Sequence, residues 1–305
     1  APGPADIDLG GTKARTLAYN NQIPGPLIRA NVGGDEIAVT VDNGLDHPTS
    51  VHWHGIALRN DMDGAEPASR NIGPGSNFEY RFSSPYPGTY WAHPHVGMDT
   101  DYGLYVPVII DDPADPGRYD AEWIVMLDDW TSGVGTSPPD VIYRGLRSMS
   151  TGGGSMPGMP GMGQMPAIPG VGGAGPSDLL GGDSGDVSYP YYIINGRIPS
   201  APTNFDAKKP GQRIRIRIIN AAADTAFRVA LAGHRMTVTH TDGFPVVPTD
   251  VDALLLGMGG ALRRHRHRSG RCVPSRRRRG RKERRRPRAA HHGSRQRARR
   301  RLPAS

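Results

Sequence analysis

Through residue 130 this chain repeats one pattern: a short run with apolar residues at every second position, closed by a turn of Gly, Pro or Asn. Ile37, Val39 and Val41 share one face of such a run, and Phe78, Tyr80 and Phe82 share another. Alternation of period two is the mark of a strand with one buried face. Residues 103–110 and 122–127 are instead continuous apolar runs, short enough to be strands buried on both faces. Asn43-Gly44, Pro74-Gly75, Pro87-Gly88 and Asp115-Pro116-Gly117 supply the turns between them. The spacing predicts an all-β sandwich or barrel. With 41 Gly and 29 Pro and few long helical patterns, an all-α protein is excluded. No apolar run approaches the ~18 residues of a membrane-spanning helix, so no membrane span is expected. A single cysteine excludes a disulfide framework and any cysteine-only metal site.

The pattern divides the chain. Residues 1–145 read as one β domain. Residues 146–186 are rich in Gly, Pro, Ser and Met and read as a flexible linker. Strand-like alternation resumes over 187–260. There Ile214, Ile216 and Ile218 are expected to face inward, and Arg213, Arg215 and Arg217 outward. That piece is short for a complete two-sheet domain, so it is expected to be partial. Residues 261–305 carry 20 basic residues and one acid, and the rest of the chain carries 17 basic and 28 acidic residues. The formal net charge of +8 therefore averages an acidic body and a polyarginine-like tail. The tail shows no hydrophobic period and is expected to be disordered.

Four histidines stand in two His-X-His pairs: His52-Trp53-His54 and His93-Pro94-His95. Residues two apart on a strand point to the same face, roughly 6–7 Å apart. That spacing suits two ligands serving two neighbouring metals. Two such pairs on adjacent strands would place four imidazoles on one wall, a donor set that favours Cu, Zn, Fe or Ni over Ca or Mg. His47, His234 and His240 are isolated and are expected to be structural or at the surface.

His52-Trp53-His54-Gly55 and Gly88-Thr89-Tyr90-Trp91-Ala92-His93-Pro94-His95 resemble the first two copper motifs of multicopper oxidases, the laccase-like and copper-tolerance family. Asn21-Gln22-Ile23-Pro24-Gly25-Pro26, Asp61-Met62-Asp63-Gly64 and Tyr102-Gly103-Leu104-Tyr105 agree with the family text around those motifs. Where the family usually has H-S-H, this chain has His93-Pro94-His95. The resemblance covers roughly residues 8–260. It implies cupredoxin-like Greek-key β-sandwich domains, one near complete and one partial, and copper as cofactor. By motif position, His52 would bind a type 2 copper, and His54, His93 and His95 a type 3 pair. Asp63 stands where the family often has an acid that helps deliver protons to oxygen. The implied activity is oxidation of phenols, or of Cu(I) and other metal ions, coupled to reduction of O2 to water. An extracytoplasmic location is implied as well; the chain begins at Ala1, with no charged-then-apolar leader pattern.

The family's third and fourth motifs, which carry four more cluster histidines and the type 1 ligands, find no counterpart. Cys272 has no adjacent histidine, and His265-Arg266-His267 lies among arginines that disfavour a divalent ion. The inventory implies that this chain alone does not complete the oxidase cycle. The alternatives are a copper-binding protein without turnover and a non-functional truncated fragment. Self-association, as in two-domain copper oxidases that form rings, is a further route. The tail itself suggests a change of reading frame near Gly260. One permitted coding of residues 260–268, shifted by one base, reads A-R-Y-D-V-I-V-T, close to the family's continuation at that point. Part of that string is forced by the code; the tyrosine and its place are not. Translated as it stands, the tail would bind nucleic acid only non-specifically, because no aromatic residue is interleaved to stack on bases. Met149, Met156, Met159, Met162 and Met165 form a thioether-rich segment suited to Cu(I), and copper-tolerance relatives carry similar segments.

Overall fold

A computed structural model describes residues 1–115, 117–151, 168–172, 175–182, 184–207 and 209–265. The first part is built from β1 (Pro2–Asp8), β2 (Lys13–Tyr19), β3 (Ile28–Asn31), β4 (Ile37–Asp42), β5 (His52–His54), β6 (Asn77–Phe82), β7 (Gly88–His93) and β8 (Val106–Asp111). The β3-β8-β7-β5 sheet is mixed, with β3 parallel to β8 and the other pairs antiparallel. The β4-β6 pair carries the alternation expected from the sequence, with Ile37, Val41, Tyr80 and Phe82 buried. Between the two sheets lies a core of Trp53, Tyr80, Tyr90, Leu104, Val108 and Ile110. The β1-β2 hairpin completes this part.

The second part begins earlier than residue 146. β9 (Ala121–Trp130) leaves the first domain and pairs in parallel with β11 (Ile214–Asn220). Between them in sequence come helix α1 (Pro139–Thr151) and the short β10 (Tyr191–Ile194), which pairs with the other edge of β9. Next follow β12 (Phe227–Ala230), β13 (Met236–Thr241), β14 (Phe244–Val251), β15 (Ala253–Leu256) and β16 (Ala261–His265). One six-stranded sheet runs β10-β9-β11-β16-β13-β14, and β12 pairs with β15. Ile214, Ile216, Ile218, Val125, Leu127 and Leu256 pack on its outer face. The inner face meets the first part through Trp91, Tyr105, Met126, Trp130 and Ile219.

Three expectations change. The expected boundary at 145 and the expected linker start at 146 are crossed by α1, whose Gly145 packs beside Ile168 and Val171. The strand run at 121–130 serves the second sheet, because β11 offers it a parallel partner over seven residues. The tail was expected to be structureless from 261, yet β16 sits between β11 and β13 with backbone pairing on both sides. An open slot between two strands binds backbone whatever the side chains are. Cys272, His267 and the rest of the basic tail lie outside the described residues.

Arg215 and Arg217 overturn the outward reading of β11. They are 2% and 1% exposed. β11 is the third strand of six and is buried on both faces, so its second face meets protein rather than water. Arg217 donates to Glu122 Oε1 (2.7 Å) and to Thr89 Oγ1 (2.9 Å), and pairs with Asp111 at 3.3 Å. Arg29 from β3 binds the same Asp111 and Glu122 at 2.5 and 2.7 Å. Arg215 pairs with Asp115 at 2.5 Å, and its guanidinium lies 3.6 Å from the centre of the Tyr119 ring. Arg29 and Arg217 thus alternate with Asp111 and Glu122 across the seam between β3, β7 and β8 on one side and β9 and β11 on the other, and Arg215 with Asp115 adds a third pair. Such groups are tolerated inside a protein only when paired like this.

Candidate metal centre

β5 and β7 pair antiparallel with His52 opposite His93 and His54 opposite Trp91. Period two then sorts the side chains. Trp53, Tyr90 and Ala92 enter the core between the sheets. His52, His54, Trp91 and His93 take the opposite face. His95 lies just beyond β7, where its backbone N–H donates to Ser50 Oγ at 3.0 Å. That bond folds the second motif back over the first.

The four imidazoles meet. Ring centroids are 4.4 Å apart for His52 and His95, 5.2 Å for His93 and His95, 5.4 Å for His54 and His93, and 5.9 Å for His52 and His54. His54 Nδ1 and His93 Nε2 are 3.2 Å apart. The closest centroid pair, His52 with His95, and the nitrogen contact between His54 and His93 both join one motif to the other. Trp91 stacks on both His54 (5.0 Å) and His93 (4.2 Å) and fixes their ring planes. Trp91 stands two residues before His93 on the same strand, so the alternation that found the histidines could have found it too.

Three of the rings are held as neutral bases. Burial pushes the His93 pKa down to about 3. Burial, reinforced by His52 and His95, lowers that of His54, and burial lowers that of His95. Two rings are also oriented. His52 Nδ1 lies 2.9 Å from the Asp63 carbonyl, and His93 Nδ1 lies 3.0 Å from the Pro94 carbonyl. An N–H donated to a carbonyl there fixes the tautomer and leaves Nε2 as the basic nitrogen, the arrangement usual for metal-binding histidines; that of His93 faces His54 Nδ1. The Asp63 carboxylate approaches the same His52 nitrogen at 3.4 Å. The donor chemistry fits a soft or borderline transition metal. Among the described residues, no three His, Cys, Asp or Glu side chains are arranged to hold one ion, so the wall fits as part of a coordination shell.

The other candidates lie elsewhere. Met149 is exposed on α1. Met156, Met159, Met162 and Met165 lie outside the described residues. His47 bridges exposed Asp46 and buried Asp99, at 2.8 and 2.9 Å. His234 is hydrogen-bonded to the Ala232 carbonyl, and His240 to Thr239.

A cluster of four imidazoles on a β-sandwich points to a class, and comparison with known proteins names it. Two family models described as multicopper oxidase match residues 5–115 and 149–263. The chain is 65% identical to the multicopper oxidase MmcO of Mycobacterium tuberculosis over 257 residues, covering 84% of this chain and 49% of that one. It is 33% identical to copper resistance protein A of Pseudomonas syringae pv. tomato, covering 84% of this chain and 43% of that protein. A laccase structure from Botrytis aclada superposes with a TM-score of 0.64 at 26% identity, over 87% of this chain and 46% of that one. The chain belongs to the multicopper oxidase family, whose domains are cupredoxin-like and whose members use copper. It spans about half the length of the curated relatives it matches.

Proposed function

We propose that this chain carries one wall of a multicopper-oxidase copper cluster and serves the oxidation of phenols, or of Cu(I) and other metal ions, at the expense of O2. The observation that carries the reading is the convergence of four imidazoles from β5, the end of β7 and the residues just after it. His52 would hold a type 2 copper, and His54, His93 and His95 a type 3 pair, with further donors completing each shell. Bound copper supplies the one-electron steps that the reduction of O2 needs. Trp91 holds the planes of His54 and His93, and the Asp63 and Pro94 carbonyls hold the N–H groups that aim His52 and His93. Asp63, beside His52, is placed to carry a proton toward the wall. Met149 and the four methionines that follow it would collect Cu(I). An extracytoplasmic location suits that task; among the described residues no helix is long and apolar enough to cross a membrane.

The partial shell favours a second reading, copper binding without turnover. Copper analysis of the purified chain together with an O2-consumption assay separates the two. Copper retained and lost in His52→Ala and His93→Ala, with O2 consumed, supports the oxidase. Copper retained without O2 consumption supports binding alone. A chain that retains no copper, or whose copper is indifferent to both substitutions, overturns the reading.

A further inference from the structure

The site has an outer side that belongs to the second domain. Residues 257–260 form a turn between β15 and β16, pinned by Asn220 at the end of β11. The Gly259 N–H donates to the Asn220 carbonyl at 3.0 Å, and the Asn220 N–H donates to the Gly260 carbonyl at 3.0 Å. The Asn220 side chain, fully buried, donates to the carbonyls of Leu256 (3.1 Å) and Thr225 (2.9 Å) and accepts from the Ala222 N–H (3.0 Å). Every polar group of that asparagine is used, so the turn is held rigidly.

The turn reaches His54. A Cβ at Gly259 would stand 3.1 Å from His54 Cε1 and 3.3 Å from Nε2. Only bare backbone fits there without moving the ring, and the φ of +72° at Gly259 independently favours glycine. Gly257, in the same turn, has open space around its would-be Cβ. The restriction is local to the atom facing the imidazole. Asp242, at the β13–β14 corner, accepts from the Ala261 N–H through Oδ1 (3.1 Å), and its charge is felt at His54. The His93 ring lies against Nδ1 of His54, and the turn lies against the Nε2 edge.

We propose that the Gly257–Gly260 turn is the second wall of the imidazole site, with Gly259 a positioning residue that sets where the His54 ring stands. On this view the second domain tunes the centre directly, beyond linking one domain to another. The proposal takes its metal from the copper reading, but its first readout needs no metal.

The test uses the full chain without metal, with the imidazole carbon and nitrogen signals assigned by NMR. Three variants are compared. Gly259→Asn accepts a left-handed backbone and adds the Cβ. Gly257→Ala adds a Cβ in open space. Asp242→Asn keeps its length and its acceptor oxygen but removes the charge. The His54 ring signals are expected to move in Gly259→Asn and in Asp242→Asn, and to stay in place in Gly257→Ala, while His95 signals stay in place in all three. With Cu(II) alone as probe, Gly259→Asn is expected to lose at least tenfold in affinity, with an altered paramagnetic resonance spectrum. Should Gly259→Asn fail to fold, Asp242→Asn carries the test. His54 signals unmoved in every folded variant, or moved equally by Gly257→Ala, would overturn the proposal. A wild-type chain that binds no Cu(II), yet whose His54 signals move as described, sinks the copper reading and leaves the wall standing.

Discussion

The imidazole wall and the arginine strand are written in the same alternating code and end in opposite surroundings. In β5 and β7 the apolar partners Trp53, Tyr90 and Ala92 face the core, and the ring nitrogens of the other face stay reachable. In β11 the isoleucines again face a core, but the other face carries two guanidinium groups at 2% exposure or less. The difference lies in what each second face meets. The β5–β7 face ends at a site, and the β11 face ends at another domain. Polar residues on a strand thus mark a face that is not hydrophobic core, which is a weaker statement than a face in water. The wall presents ring nitrogens to a site; the seam sets each buried guanidinium against a carboxylate, though Arg215 Nε is left without an acceptor among the described residues.

That contrast can be broken most directly at Arg217. Arg217→Ala leaves Glu122 and Asp111 with Arg29 as their remaining ion-pair partner and opens a gap against Thr89. It is expected to cost about 3–5 kcal/mol of unfolding free energy, read by urea denaturation. Arg217→Met together with Glu122→Gln should recover part of that loss. A cost below about 1 kcal/mol would mean that the seam does not hold the domains.

The next largest effect is expected from a carboxyl that has no arginine. Asp111 sits among Arg29, Arg217 and Arg215, and although burial opposes it, these cations hold its pKa below the usual value. Asp101 lines a cavity of about 170 Å³ with Asp129 and Asp224. Burial, then Asp129 and Asp140, pushes its pKa up to about 7. The folded state therefore keeps a proton that the unfolded chain gives up near pH 4. Stability from this group is full below that pH, falls as pH rises toward 7, and levels off above. Asp101→Asn is expected to flatten that slope and to raise stability at pH 8 by about 2 kcal/mol, after allowance for solvent screening. Thermal melts across pH 4–8 would show it; parallel curves for the two chains would refute it.

Arg215→Lys keeps the charge but loses the planar fork on Asp115 and the stacking on Tyr119. About 1–2 kcal/mol of destabilisation is expected. The smallest change in stability is expected on the other side of the comparison. His95 is the most exposed residue of the wall, so His95→Ala should move the unfolding free energy by no more than about 0.5 kcal/mol while weakening Cu(II) binding. A His95→Ala chain that unfolds as readily as Arg217→Ala would make the wall a structural element.

Much of the centre could be read before any coordinates. His52-Trp53-His54 states that two rings share a face, because side chains alternate along a strand, whereas His95 lies beyond β7 and is tied in by its bond to Ser50. The turn clusters and the alternation at Ile37–Val41 and Phe78–Phe82 likewise state local facts. Trp91 was readable by the same rule, two positions before His93. The domain boundary was not, because β9 is a buried apolar strand that would serve either sheet; its seven-residue parallel pairing with β11 decides the matter. Helix α1 was hidden by the Gly- and Met-rich composition that follows it.

The chain's own order therefore determined the short strands, their faces and the pairing of His52 with His54, because these follow from covalent geometry over two or three residues. Tertiary structure alone decided that His52 meets His95 and His54 meets His93, that Arg215 and Arg217 are buried, and that a bare glycine at 259 stands against His54. Each of these contacts joins residues far apart in sequence. Their distance is set by which sheet docks on which, and no local rule carries that information.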